Sequence, residues 1–128
     1  MAVRIMIVED EALIAMDLKN QLRQLGYKVE PVMSSGEEAL KNIKKNPPDL
    51  LLSDISLSTG MDGIELMKQI RKFSDLPILF LTAHTREYIN NKCGKNIADG
   101  CLFKPLRRGL LGQTIEEIFS NREKKVKG

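Results

Sequence analysis

Short apolar runs alternate along the chain with segments whose apolar residues recur every three or four positions, and that alternation sets the predicted elements. The runs fall at residues 3–8, 28–32, 50–53, 77–81 and 101–103 and read as buried strands. Between the first two, Ile14, Leu18, Leu22 and Leu25 mark one face of a helix, with Gly26 as its stop. The second helix opens on Ser35 and Glu38, the spacing of a capping box, buries Ala39, Leu40 and Ile43, and ends at Pro47-Pro48. Leu66, Met67, Ile70 and Phe73 belong to the third; Leu111, Ile115, Ile118 and Phe119 belong to the last, which dissolves into NREKKVKG. A fourth helix over 86–95 is weaker, because Asn90, Asn91 and Gly94 are poor helix formers, and it is expected to be short or mobile.

Five strands alternating with five helices predict an α/β fold, a doubly wound parallel sheet covered on both faces. Right-handed crossovers leave few topologies, and 2-1-3-4-5 is the common strand order at this size. In such a sheet the carboxyl ends of the strands share one edge, and ligands bind where the strand order reverses, here between strands one and three. A chain of 128 residues fits one domain, read as 1–121 with a basic tail over 122–128. No repeat or long linker interrupts it.

The strand ends carry the chemistry. Glu9-Asp10 follow the first run, Asp54 the third, Thr82 the fourth, and Lys104 the fifth. Each alone has a plain structural explanation: an acidic pair suits a helix N-terminus, a Thr a cap, a Lys-Pro a turn. Gathered at one edge, they suit a divalent cation and a phosphoryl group. Asp54 is the candidate nucleophile, since a carboxylate oxygen can attack phosphorus to give an acyl phosphate. Glu9, Asp10 and Asp54, with the Ser56 backbone carbonyl, are candidate ligands for Mg²⁺, which takes hard oxygen donors. Three carboxylates raise one another's pKa unless a cation offsets them. Lys104 and Thr82 would meet phosphoryl oxygens, and positioning with charge stabilisation is most of what phosphoryl transfer needs.

Composition narrows the class. Hydrophobic content of 42% and charged content of 29% lie near globular averages and exclude a disordered chain. No apolar stretch is long enough to span a membrane, and the start lacks a signal peptide's cleavage region, so a soluble cytoplasmic protein is expected. Cys93 and Cys101 lack metal-type spacing. The net charge of +3 is spread over Lys41, Lys44, Lys45, Arg107-Arg108 and the tail lysines 124, 125 and 127, which reads as solvated surface rather than a nucleic-acid footprint.

Together these motifs resemble a response-regulator receiver domain of two-component signalling, over residues 3 to about 121. VED (8–10) matches the family's acidic pair, and SDISLSTGMDGIEL (53–66) its phosphoacceptor segment with the downstream Asp-Gly. LTA (81–83), ADG (98–100) and KP (104–105) match the remaining motifs. The resemblance implies a flavodoxin-like fold and a switch rather than an enzyme, one that assists its own phosphorylation and dephosphorylation. Asp54 would accept a phosphoryl group from a sensor histidine kinase or phosphotransfer protein, with Mg²⁺ on Glu9, Asp10, Asp54 and Ser56. Thr82, Ala83 and Lys104 would surround the phosphoryl group, and the Lys104-Pro105 peptide is expected to be cis. Phosphorylation would shift populations at the face of helix four, strand five and helix five, changing the binding of a downstream protein or a second copy of the chain. The donor would dock near Ala12, Leu13 and the loop at Pro105.

Three departures stand out. Cys101 occupies the position of the family's switching aromatic, and Phe103 is read as facing the other side of the strand. Helix four is weak. His84, two residues after Thr82, lies near the pocket mouth, where it and Ser56 would tune the survival of the phosphoryl group, unless it is an ordinary loop histidine. With only a short tail after helix five, either a stand-alone receiver or one excised from a longer chain is expected. Three rivals remain: an interaction module that is never phosphorylated, a flavodoxin-like cofactor binder, and a nucleic-acid binder acting through residues 122–128. The cofactor binder would need a glycine- and hydroxyl-rich phosphate loop where this chain has Glu-Asp-Glu.

Overall fold

The computed structural model describes residues 2–58, 60–93, 98–107 and 109–127. Its elements are β1 (Arg4–Val8), α1 (Ala12–Gln24), β2 (Lys28–Val29), α2 (Gly36–Lys45), β3 (Leu50–Asp54), α3 (Gly63–Arg71), β4 (Ile78–Thr82), α4 (Arg86–Cys93), β5 (Gly100–Phe103) and α5 (Leu110–Lys127). All strand pairings are parallel and the order is β2-β1-β3-β4-β5, as predicted. Alternating side chains divide the core into two layers. Met6, Val8, Leu51, Ile78 and Phe80 face Ala39 and Ile43 of α2, Leu66, Met67 and Ile70 of α3, and Ile89 of α4. Ile5, Ile7, Leu52, Leu79 and Leu102 face Leu18 and Leu22 of α1 and Leu111, Ile115 and Ile118 of α5. Strands β3 and β4 are buried at every position, which explains their uninterrupted apolar runs.

Local signals end the helices where expected. Ser35 caps α2 by accepting from the Glu38 N–H at 3.2 Å, worth about 1 kcal/mol. Asp62 caps α3 through the Glu65 N–H at 2.8 Å. Gly26 takes φ 91° after α1, a conformation that costs glycine nothing sterically. Leu25 and Phe73, assigned to helix faces from the sequence, fall just beyond Gln24 and Arg71 and are exposed.

Several boundaries differ from the sequence reading. Strand β2 pairs only at Lys28 and Val29, and a single bridge then joins Val8 to Met33. Pro31 has no N–H to extend the ladder, and the Glu30 carboxylate is drawn to the Arg4 guanidinium. Helix α5 does not dissolve after Asn121 but runs through Lys127. Arg122 holds it down: its Nε and Nη2 donate to Asp99 at 2.7 and 3.0 Å, and Nη1 donates to Asp75 at 3.2 Å. Asp99 also accepts from Arg71 at 3.2 Å and from the Ile78 N–H at 2.9 Å. Helix α4 is described over Arg86–Cys93, and Ile89 is its one buried residue among those described. Its expected end at Gly94-Lys95, together with Arg108, Gly128 and the side chains of Cys93, Lys125 and Lys127, lies outside the described residues.

If residues beyond Asn121 formed only a loose tail, replacing Arg122 would be nearly neutral. The part-buried bidentate pair argues otherwise. Arg122→Ala is expected to lower unfolding free energy by about 1–2 kcal/mol in urea titration, with Lys124→Ala as the control within about 0.5 kcal/mol of the parent.

Candidate functional site

Parallel pairing delivers the candidate residues to one edge. Register sets Val8 beside Ser53, Asp54 beside Leu81, and Thr82 beside Phe103, so the residues ending or following these strands converge. Glu9, Asp54 and Thr82 are buried, and Lys104 is largely so. The start of α3 presses against them. The Gly63 N–H donates to the Ile55 carbonyl at 2.8 Å, and a Cβ on Gly63 would collide with the Asp54 backbone carbonyl. This is the structural reason for glycine after Asp62.

Lys104 Nζ lies 3.1 Å from Asp54 Oδ2 and 3.6 Å from Glu9 Oε2. The other Asp54 oxygen accepts from the Ser56 N–H at 3.1 Å. Glu9 Oε1 accepts from the Glu11 N–H at 3.1 Å, while Glu9 Oε2 is buried with no hydrogen-bond partner among the described residues. Burial pushes the Glu9 carboxyl up to about 7 from 4.5, with the charge of Asp54 adding to the rise. For Lys104, burial works against the charge, yet the hydrogen bond and charge of Asp54, with Glu9 and Glu11, outweigh it and the pKa is raised. One carboxylate oxygen from each of Glu9, Glu11 and Asp54 lies within 4.8 Å of the others. Hard anionic donors around a buried oxygen that accepts no hydrogen bond from the described residues fit a small divalent cation such as Mg²⁺.

The third acid of this cluster is Glu11, not Asp10. Asp10 Oδ2 instead accepts from the Ser58 N–H at 2.6 Å and from the Ser58 hydroxyl. Glu11 is the N-cap residue of α1 but makes no side-chain capping bond, which leaves its carboxylate to face the cluster. Its position two residues after Glu9 was the available signal; side-chain direction was not readable. Thr82 Oγ1 accepts from the His84 N–H at 3.0 Å, and Ala83 is exposed beside it. Ser56 Oγ lies 2.7 Å from His84 Nε2, and the His84 ring stacks on Tyr88 of α4 with centroids 4.0 Å apart. Tyr88 was not anticipated.

On β5 the sequence reading of Phe103 is corrected. Residues two apart share a face, so Cys101 and Phe103 both pack against the cluster that holds Ile89, with the Arg86 guanidinium 5.0 Å above the Phe103 ring. The Lys104-Pro105 peptide is cis, as expected. Beside it, Leu13, Ile14, Leu18, Leu81, Pro105 and Leu106 line much of a groove of about 510 Å³.

Comparison with known proteins places the chain in a family and matches its fold. A model of the response regulator receiver domain family matches residues 5–116. The chain is similar to the transcriptional regulatory protein BaeR of Escherichia coli O6:H1, 41% identical over 80% of this chain and 42% of that one. It is also similar to the sensor histidine kinase RcsC of Salmonella typhimurium, 32% identical over 96% of this chain and 13% of that one. The chain therefore spans less than half the length of these relatives. Among solved structures, the N-terminal domain of a response regulator/sensory box/GGDEF 3-domain protein from Carboxydothermus hydrogenoformans superposes with TM-score 0.86. That match has 35% identity over 96% of this chain and 98% of the other. Among the described residues, no helix is long and apolar enough to cross a membrane.

The raised Glu9 pKa carries a stability signature. The folded state holds this proton more tightly than the unfolded chain, so ionising Glu9 costs stability as pH rises from about 4.5 to about 7. The cost is roughly 3 kcal/mol above that window and absent below it. In chelator, Glu9→Gln is expected to be more stable than the parent at pH 8, with the difference vanishing by pH 4.5. Thermal unfolding across this range checks it, and a difference independent of pH would contradict it.

Proposed function

The chain belongs to the response regulator receiver domain family of two-component signalling, and on that footing we propose that Asp54 is its phosphoacceptor. The observation that carries this reading is the buried Asp54 carboxylate held by Lys104 at 3.1 Å, beside a buried Glu9 oxygen that the same ammonium reaches only at 3.6 Å. An Asp54 oxygen attacks the phosphorus of a phosphohistidine on a kinase or phosphotransfer protein. The new O–P bond forms as the P–N bond breaks, and the leaving imidazole nitrogen takes a proton from solvent. Mg²⁺ held by Glu9, Asp54 and neighbouring oxygens, with the Ser56 carbonyl as a further donor, would offset the charge gathered on the phosphoryl oxygens.

The protein's own groups do the rest. Lys104 moves from the carboxylate to a phosphoryl oxygen, and the Thr82 hydroxyl, which now accepts from the His84 N–H, has its own hydrogen available for another. The Ser56 N–H keeps the attacking carboxylate oriented. The donor docks on the groove between Leu13 of α1 and the Pro105 loop, where Leu13 is 81% exposed. Readout occurs on α4, β5 and α5, toward a downstream protein or a second copy of the chain.

Incubation with Mg²⁺ and a small phosphodonor is expected to add one phosphoryl group by intact mass, with none in chelator or in Asp54→Ala. Lys104→Ala is expected to cut the extent of modification at least tenfold. If the parent neither takes a phosphoryl group nor binds Mg²⁺ and a phosphoryl mimic, the protein is an unphosphorylated interaction module instead.

The exposed Ser56–His84 hydrogen bond supports a role in phosphoryl survival, since Ser56 also donates its N–H to the Asp54 carboxylate. His84→Ala is expected to change the acyl-phosphate half-life severalfold at unchanged Mg²⁺ affinity, followed by loss of the mass adduct. An unaltered half-life would reduce His84 to a loop residue.

A further inference from the structure

We propose that Tyr88 is a positioning residue for the phosphoryl group: its ring holds the His84 imidazole against Ser56 and so sets how long the group survives on Asp54. This rests on the reading of Asp54 as the phosphoacceptor. The His84 backbone is fixed by its N–H, which donates to Thr82 Oγ1 at 3.0 Å. Ser56 Oγ, 2.7 Å from His84 Nε2, meets one edge of the ring in an exposed hydrogen bond for which water competes. Such a bond leaves the plane of the imidazole loose. The Tyr88 ring covers the imidazole's face, with centroids 4.0 Å apart and planes 15° from parallel. A stacked face fixes the plane that a single edge contact does not.

Tyr88 can serve as a platform because it is itself held. Its N–H donates to Thr85 Oγ1 at 3.1 Å, in the manner of a helix cap. The next residue, Ile89, is buried and donates its N–H to the Thr85 carbonyl at 3.1 Å. Tyr88 packs against the apolar cluster that contains Ile89, so the ring is anchored on the core. Ser56 carries the effect onward, because its own N–H donates to Asp54 Oδ1 at 3.1 Å. The contacts therefore run from the core through Tyr88, His84 and Ser56 to the carboxylate. Loss of the phosphoryl group is attack of a water oxygen on phosphorus. The O–P bond to Asp54 breaks and the carboxylate keeps the bonding pair. One water proton passes to solvent, and the remaining hydroxyl stays on the released phosphate. A change in the Ser56–His84 pair reaches the carboxylate at which that bond breaks.

The test follows loss of the mass adduct after the full chain is phosphorylated by a small phosphodonor with Mg²⁺. Tyr88→Leu keeps an apolar side chain and a good helix former but removes the ring. It should change the half-life severalfold, in the direction in which His84→Ala changes it. Mg²⁺ affinity by calorimetry should stay within about twofold of the parent. Tyr88→Phe keeps the ring and should leave the half-life within about twofold. In a His84→Ala background Tyr88→Leu should add nothing, since the imidazole it orients is gone. An unaltered half-life in Tyr88→Leu or in His84→Ala overturns the proposal and leaves the phosphoacceptor reading standing. So does an effect that persists without His84, one that Tyr88→Phe reproduces in full, or an equal loss of Mg²⁺ affinity. A parent that takes no phosphoryl group on Asp54 removes the phosphoacceptor reading and the proposal together.

Discussion

Repulsion among carboxylates is the constraint on which the rest of this structure turns. Glu9, Glu11 and Asp54 bring oxygens within 4.8 Å of one another, and Lys104 is the ammonium that faces two of them. Left to itself such a group would spread into water, since each buried charge raises the cost of the next. The backbone prevents it. Strands β1 and β3 are interior to the sheet and laddered on both sides, so neither Glu9 nor Asp54 can retreat without breaking parallel pairing. The close approach of Gly63 to the Asp54 carbonyl closes the remaining direction. Stability elsewhere in the fold is what keeps this unfavourable arrangement in place.

The opposite edge of the sheet shows what charge looks like when it serves only structure. There Arg71 and Arg122 meet Asp75 and Asp99, two cations against two anions, with Asp99 accepting from both guanidiniums and from a strand N–H. Each group has a partner and the network joins α3, the start of β4 and α5. The carboxyl edge has the reverse character: among the described residues Glu9, Glu11 and Asp54 share Lys104, and one buried Glu9 oxygen accepts no hydrogen bond. Such an imbalance inside a well-packed sheet is the electrostatic basis of the cation site proposed above.

Which parts of this were legible in the sequence follows from how each is encoded. Strand order and the shared edge follow from the period of apolar residues, because the periodicity reports burial directly. The same edge argument located Glu9, Asp54, Thr82 and Lys104, since strand ends are fixed by backbone connectivity. Side-chain choices among adjacent residues are not fixed that way. Asp10 and Glu11 are both acidic and both follow β1, and a hydrogen bond to Ser58, 48 positions on, decides which one faces Asp54. The course of α5 was hidden for a related reason. A run of charged residues reads as solvated until Asp99 and Asp75, distant in sequence, are known to lie beneath Arg122.

Helix α4 is where the pocket and the periphery meet. Ile89 is its one buried side chain among the described residues, so this described part of the helix is held by few apolar contacts and belongs to the low-stability end of the fold. Yet it touches the site twice. Tyr88 stacks on the His84 ring that is hydrogen-bonded to Ser56, and Arg86 lies over Phe103, two residues after Cys101 on the same face of β5. A weakly anchored element responds to small changes in free energy that a well-packed one absorbs. Contact between α4 and the pocket runs through His84 and Tyr88, whose ring faces are 15° from parallel. The path from Asp54 to the outer surface is therefore short: a backbone N–H, a serine hydroxyl, an imidazole and a phenol ring.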